Sequence, residues 1–124
     1  PIMGSVAAGG LIETFSDVQE NLDLSDVLTK KDVFALTVNG DSMIDACIAD
    51  GDMVLMEPVK DFYSLRNGII VSAMVPGLGA TLKYYFKKGR EIILEPANQN
   101  YESIIIESDK VIIQGKLLAV WRKV

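Results

Sequence analysis

Asn39-Gly40-Asp41-Ser42-Met43 closes the apolar, strand-like run Val33–Val38. Gly40 permits a sharp turn there, which would leave the Ser42 hydroxyl exposed at the start of a helical turn. Backbone N–H groups of such a turn can stabilise an oxyanion, so the arrangement suits a nucleophilic serine. The plainer alternative is a helix N-cap, a position that Ser favours. The chain contains no His, so a Ser–His–Asp triad, a Cys–His dyad and a His-based metal site are all excluded. A serine nucleophile here needs another base, and Lys is the main candidate. In Thr81-Leu82-Lys83-Tyr84-Tyr85-Phe86, alternation puts Leu82, Tyr84 and Phe86 on one face and Thr81, Lys83 and Tyr85 on the other. Most strand lysines are simply solvated. To act as a base, Lys83 must be neutral, although a free lysine titrates at about 10.4. Lowering that by about three pH units through burial costs roughly 4 kcal/mol of folding stability.

The elements that could hold these groups are short. Apolar or alternating segments at Val33–Val38, Met53–Met56, Ile69–Val75, Thr81–Phe86, Glu91–Leu94, Ser103–Ile106, Val111–Gln114 and Leu117–Arg122 read as strands. Turn signals separate them: Asp50-Gly51-Asp52, Asn67-Gly68, Pro76-Gly77-Leu78-Gly79, Lys88-Gly89 and Pro96 through Asn100. The pattern predicts a mainly β fold, a strongly bent antiparallel sheet or partial barrel. One or two short helical turns are expected, at Leu24–Leu28 and Ser42–Ile48. Gly4-Ser5-Val6-Ala7-Ala8-Gly9-Gly10 is small and uncharged; it could thread a narrow groove in extended form, but taken alone it reads as a frayed terminus.

Composition narrows the setting. At 124 residues the chain is the size of one domain, and no linker divides it. An apolar share of 49% is too high for disorder. The longest nearly apolar stretch, Ile69–Val75, is far short of the roughly 18 residues of a membrane helix. The opening Pro1-Ile2-Met3 suggests a piece of something longer. With 12 Lys+Arg against 17 Asp+Glu, the net charge of -5 argues against nucleic-acid binding by this piece itself. The basic clusters Lys87-Lys88…Arg90 and Arg122-Lys123 read as solvated. The single Cys rules out an internal disulfide and suits a cytoplasmic compartment; Cys47, after Ala46, reads as a small core residue.

Together these pieces resemble the self-cleaving domain of the LexA repressor family, Ser/Lys peptidases that include the UmuD mutagenesis proteins and phage repressors. Val6-Ala7-Ala8-Gly9 is similar to the family's cleavage-site stretch. Gly40-Asp41-Ser42-Met43, followed by Ile48 and Asp50-Gly51-Asp52, resembles its nucleophile motif and the turn after it. Thr81-Leu82-Lys83 is similar to the strand bearing the base, and Pro96-Ala97-Asn98 to a later loop. Each motif is weak alone; their order makes the joint signal strong. There are departures: Asp41 is closer to the mutagenesis proteins, the hairpin before Lys83 is long, and Gly10-Leu11 stands where repressors often have a polar residue and Pro. The Ala-Gly pair favours the repressor branch, since mutagenesis proteins typically carry Cys-Gly.

The resemblance implies a LexA/signal-peptidase-like fold and a single domain over residues 1–124, with 1–12 as the cleavage-site segment. It implies Ser42 as nucleophile, Lys83 as base, Ala8–Gly9 as the scissile bond, and the N–H groups of Asp41 and Ser42 as the oxyanion hole. No cofactor or metal is implied. The partners implied are a second copy of the chain through the last strand, and the recombinase filament on single-stranded DNA as activator. Operator DNA would be bound only through an N-terminal domain absent from this chain, and no membrane is involved. The resting cleft is expected to be open and partly wet, keeping Lys83 mostly protonated near neutrality. Two other readings stay open beside a UmuD-like self-processing protein: a peptidase acting on other chains, as signal peptidases do with the same pair, and a non-enzymatic β-rich dimerisation module. The last rests on Lys116–Val124, apolar on both faces and therefore either central or covered by a partner.

Overall fold

The computed structural model describes residues 2–7, 32–61, 63 and 65–122. The strands are β1 (Ile2–Ala7), β2 (Phe34–Asn39), β3 (Met53–Pro58), β4 (Ile69–Val75), β5 (Gly79–Lys88), β6 (Glu91–Glu95), β7 (Ile104–Glu107) and β8 (Ile112–Trp121). They form one sheet in the order β1-β2-β3-β8-β4-β5-β6-β7. Every pairing is antiparallel except β1 with β2, which run parallel. The sheet curls into a half-barrel, so that β1 approaches β5 although β2, β3, β8 and β4 lie between them in the sheet. The mainly β, strongly bent architecture expected from the strand pattern is thus the observed one. Among the described residues, no helix is long and apolar enough to cross a membrane.

Hydrophobic patterning explains the layers. β4, Ile-Ile-Val-Ser-Ala-Met-Val, is a nearly apolar run, broken only by buried Ser72, and is covered on both faces. β6 alternates exposed Glu91 and Glu95 with buried Ile92 and Leu94, the signature of a half-covered strand. One core gathers Leu36 and Val38 of β2, Val54 and Met56 of β3, Ala80 and Leu82 of β5, and Met43 and Ile48 from the connection after β2. A second lies under Val71, Ala73 and Val75 of β4, with Tyr85, Ile92, Leu94, Val111 and Ile113.

Several local expectations are corrected. Ile2–Ala7 is a strand rather than a frayed end: the backbone of an edge strand needs only an extended neighbour, and β2 supplies it. Val111–Gln114 and Leu117–Arg122 are one strand, β8, because Gly115 between them is paired on both edges, opposite Pro58 of β3 and Ser72 of β4. A Cβ at Gly115 would lie 2.9 Å from the Glu57 carbonyl oxygen and 2.9 Å from Phe34 Cζ. Glycine there marks a close approach of backbones, not a break. Ser42–Ile48 contains a 3-10 turn at Ile44–Ala46, and a further one covers Ser108–Lys110. Cys47 is not in the core. It ends the first of these turns in a left-handed conformation, φ 63°, with its side chain exposed, while Met43 and Ile48 fill the interior on either side. The turn expected at Leu24–Leu28 lies outside the described residues.

Candidate active site

Ser42 is delivered by β2. After Asn39 the chain turns at Gly40, whose φ of 97° is a left-handed value that glycine tolerates freely. Gly40 N–H donates to Asp50 Oδ1 (2.7 Å), and Gly51 N–H donates back to the Val38 carbonyl (2.7 Å). The Asp50-Gly51-Asp52 turn therefore braces Gly40 and the end of β2, just ahead of Ser42. Behind Ser42, Met43 is fully buried and anchors the segment in the first core. Ser42 itself is buried, 0% exposed, where an exposed hydroxyl was expected. The reason is that the turn folds inward over β5 rather than opening a helix. Nor is Ser42 an N-cap: the 3-10 turn is capped at Met43 without a side-chain bond.

Lys83 meets it from β5. Its Nζ donates to Ser42 Oγ (3.0 Å) and to Thr81 Oγ1 (2.6 Å), and the side chain is only 2% exposed. The contact with Thr81 follows from alternation, because residues two apart on a strand share a face. Burial alone pushes the Lys83 amine down to about 8. Ser42 and Lys83 are thus both buried, at 0% and 2% exposure. At neutral pH the amine is nevertheless mostly protonated, since its titration lies above 7.

A loop between β6 and β7 holds the motif from the other side. Ala97 N–H donates to the Ser42 carbonyl (2.8 Å), and the Ala97 carbonyl accepts from Asp45 N–H (2.8 Å). Asn98 Nδ2 donates to the Asp41 carbonyl (2.9 Å), and Tyr101 OH to Asp41 Oδ1 (2.5 Å). That bond holds the Tyr101 phenol above its usual range. Arg122 is exposed, as expected, and also grips Asp52 through Nε (2.7 Å) and Nη2 (2.6 Å) and reaches the Cys47 carbonyl (3.2 Å). The guanidinium holds the Asp52 carboxyl below the usual carboxylate range.

Of the residues singled out in the sequence, Ser42 and Lys83 are brought together and Asp41 stands beside them. Ala8 and Gly9 lie outside the described residues; β1 ends at Ala7, in register with Asn39 just ahead of the Gly40 turn. Thr81 could have been read as a partner of Lys83 from its spacing. Pro96-Ala97-Asn98 stands out in the sequence only as a family-like loop; the contacts of Ala97, Asn98 and Tyr101, and the Arg122–Asp52 pair beside the β3–β8 register, join residues far apart in the chain and carry no local signal. Among the described residues, no three His, Cys, Asp or Glu side chains converge as metal ligands would. Placed in this way, a buried serine and a lysine of lowered pKa describe chemistry open to a serine peptidase.

Comparison with known proteins agrees with that chemistry. The chain is 38% identical over 125 residues to the LexA repressor of Clostridium novyi (strain NT), an alignment taking in 99% of this chain and 59% of that protein. It is 40% identical over 124 residues to the LexA repressor of Paramagnetospirillum magneticum (strain ATCC 700264 / AMB-1), covering 99% and 52% respectively. The chain thus spans between about half and three-fifths of the length of these relatives. A sequence profile of the Peptidase S24-like family runs through residues 1–118, taking in both Ser42 and Lys83, and the chain belongs to that family.

Proposed function

We propose that Ser42 and Lys83 form a Ser/Lys dyad that cleaves the chain's own Ala8–Gly9 bond. The carrying observation is the buried 3.0 Å contact between Lys83 Nζ and Ser42 Oγ. Neutral Lys83 takes the Ser42 proton as Oγ attacks the Ala8 carbonyl carbon. The N–H groups of Asp41 and Ser42 hold the resulting oxyanion. Collapse breaks the Ala8–Gly9 C–N bond, and the Lys83 ammonium returns its proton to the Gly9 amine. A water, deprotonated by Lys83, then hydrolyses the Ser42 ester and restores the hydroxyl. β1 supports this reading: it runs beside β2 in the same direction and ends at Ala7 opposite Asn39, next to the motif. Tethering makes the attack intramolecular, an advantage of a thousandfold or more on the order of known effective molarities.

In the whole protein this activity would serve a transcriptional repressor of the DNA-damage response. The activator would be the recombinase filament on single-stranded DNA, which would favour the cleavable arrangement rather than add a catalytic group. Operator binding would reside in sequence outside this chain. A homodimer through β8 is a compatible second element. The Leu117–Trp121 half of β8 pairs with β3 on one edge and, among the described residues, with no strand on the other.

Self-cleavage is tested by intact mass after incubation from about pH 7 to 10 at two protein concentrations. The first-order rate should rise about tenfold per pH unit and level off near pH 8, as the Lys83 amine loses its proton. The products should be Pro1–Ala8 and Gly9–Val124, formed at a rate independent of concentration. Ser42→Ala and Lys83→Ala should each abolish cleavage, with no further loss in the double variant. Rates that scale with concentration would favour a peptidase acting on other chains. No mass loss at any pH in the folded protein would leave the dimerisation module.

A further inference from the structure

We propose that Asn98 is a positioning residue that aims the Ser42 N–H at the developing oxyanion; the inference rests on the Ser42–Lys83 reading above. A trans peptide is planar, and its C=O and N–H point in opposite directions. Whatever fixes the Asp41 carbonyl therefore fixes the Ser42 N–H that shares its plane. Two donors do so: Asn98 Nδ2 at 2.9 Å and Ile44 N–H at 3.2 Å. The Ile44 bond is local and the longer of the two. The Asn98 bond comes from a separate element and ties the plane to the β6–β7 loop. The next plane, Ser42–Met43, is tied to the same loop through Ala97 N–H at 2.8 Å. Both peptides that flank the nucleophile are thus referred to one external brace.

Asn98 is itself held. Its Oδ1 accepts from Asn100 N–H (2.9 Å), and its carbonyl accepts from Tyr101 N–H (3.1 Å). Tyr101 OH in turn bonds Asp41 Oδ1 (2.5 Å). The amide therefore has a defined orientation, with its acceptor spent inside the loop and its donor directed at Asp41. Asn98 touches neither Ser42 Oγ nor Lys83 Nζ, whose partners are each other and Thr81. Its effect should fall on stabilisation of the intermediate and not on the titration of the base.

The test uses Asn98→Ala and Asn98→Asp in the full chain, with the first-order self-cleavage rate followed against pH. Asn98→Asp keeps the acceptor for Asn100 N–H but offers the Asp41 carbonyl no donor. Removing an oxyanion donor costs about 100- to 1000-fold, and misaiming one should cost part of that, about 10- to 100-fold. Both variants should show this loss in the plateau rate. In Asn98→Ala the midpoint of the pH profile should stay with the parent's. A parent-like plateau in either variant would overturn the proposal: in Asn98→Asp it would mean that only the loop's internal bond matters. In Asn98→Ala, a lower plateau with the midpoint moved up toward the ordinary lysine range would also overturn it, because that reports a loosened, hydrated cleft. The parent chain and Ser42→Ala run alongside. No cleavage by the parent would instead sink the dyad reading, and this inference with it.

Discussion

Lys83 combines two opposed demands in one side chain. In the proposed role of base it must be able to lose its proton, and burial lowers its pKa to about 8; as part of a folded core, it brings an amine that prefers water. The sign of the linkage is definite. The folded value lies below the unfolded one of 10.5, so the unfolded chain binds more protons between pH 8 and 10.5. The penalty is full below pH 8 and fades as the pH rises to 10.5. Lys83→Met should therefore raise unfolding free energy at neutral pH by up to about 3 kcal/mol. Urea unfolding at several pH values would show the gain shrinking towards pH 10.5; a gain that is flat with pH would mean that the buried charge is not its source.

At the scale of elements, β8 joins the two ends of the fold. Its first half pairs with β4 and its second with β3, and the exchange occurs at Gly115. With the Glu57 carbonyl and the Phe34 ring each 2.9 Å from where a Cβ would be, Gly115→Ala should destabilise by about 1–3 kcal/mol. A shift in the denaturation midpoint would measure it, and an unchanged midpoint would show that β3 can give way. Gly115 also shows what a sequence hides. Local apolar or alternating patterns were enough to find β2 to β7 within a few residues, because each strand's covering is recorded in its own side chains. The same reasoning cut β8 in two, since a glycine that admits a neighbouring backbone looks identical to one that ends a strand. The candidate site divides similarly. Ser42 and Lys83 were legible from a turn glycine and a strand alternation, with the resemblance supplying their order. The bonds of Asn98, Tyr101 and Arg122 were not, because they join residues far apart in the chain: the first two link the β6–β7 loop to Asp41, and Arg122 meets Asp52 only where β8 pairs with β3.

For the whole molecule, the curl leaves one consequence for assembly. Val120 is 39% exposed on β8, beside the edge that β3 does not occupy. If a second copy adds its own β8 there, Val120→Glu should shift a micromolar sample from dimer to monomer in sedimentation while the unfolding midpoint at high dilution stays put. A parent chain that sediments as a monomer at high concentration would remove this interface from consideration.

β1 sits at the outer end of the sheet, where, among the described residues, β2 is the one strand paired with it. In thermodynamic language it is a ligand of the sheet, bound at the effective concentration its covalent tether provides. Cutting the chain after Ala8 would turn that into ordinary mass action, in which a short peptide at low concentration adds RT ln(1 + [L]/Kd), close to nothing when it is dilute. The cut would therefore be irreversible in practice without any further device. It would also turn β2 from an interior strand into an edge, opening its unpaired backbone groups to solvent or to another strand.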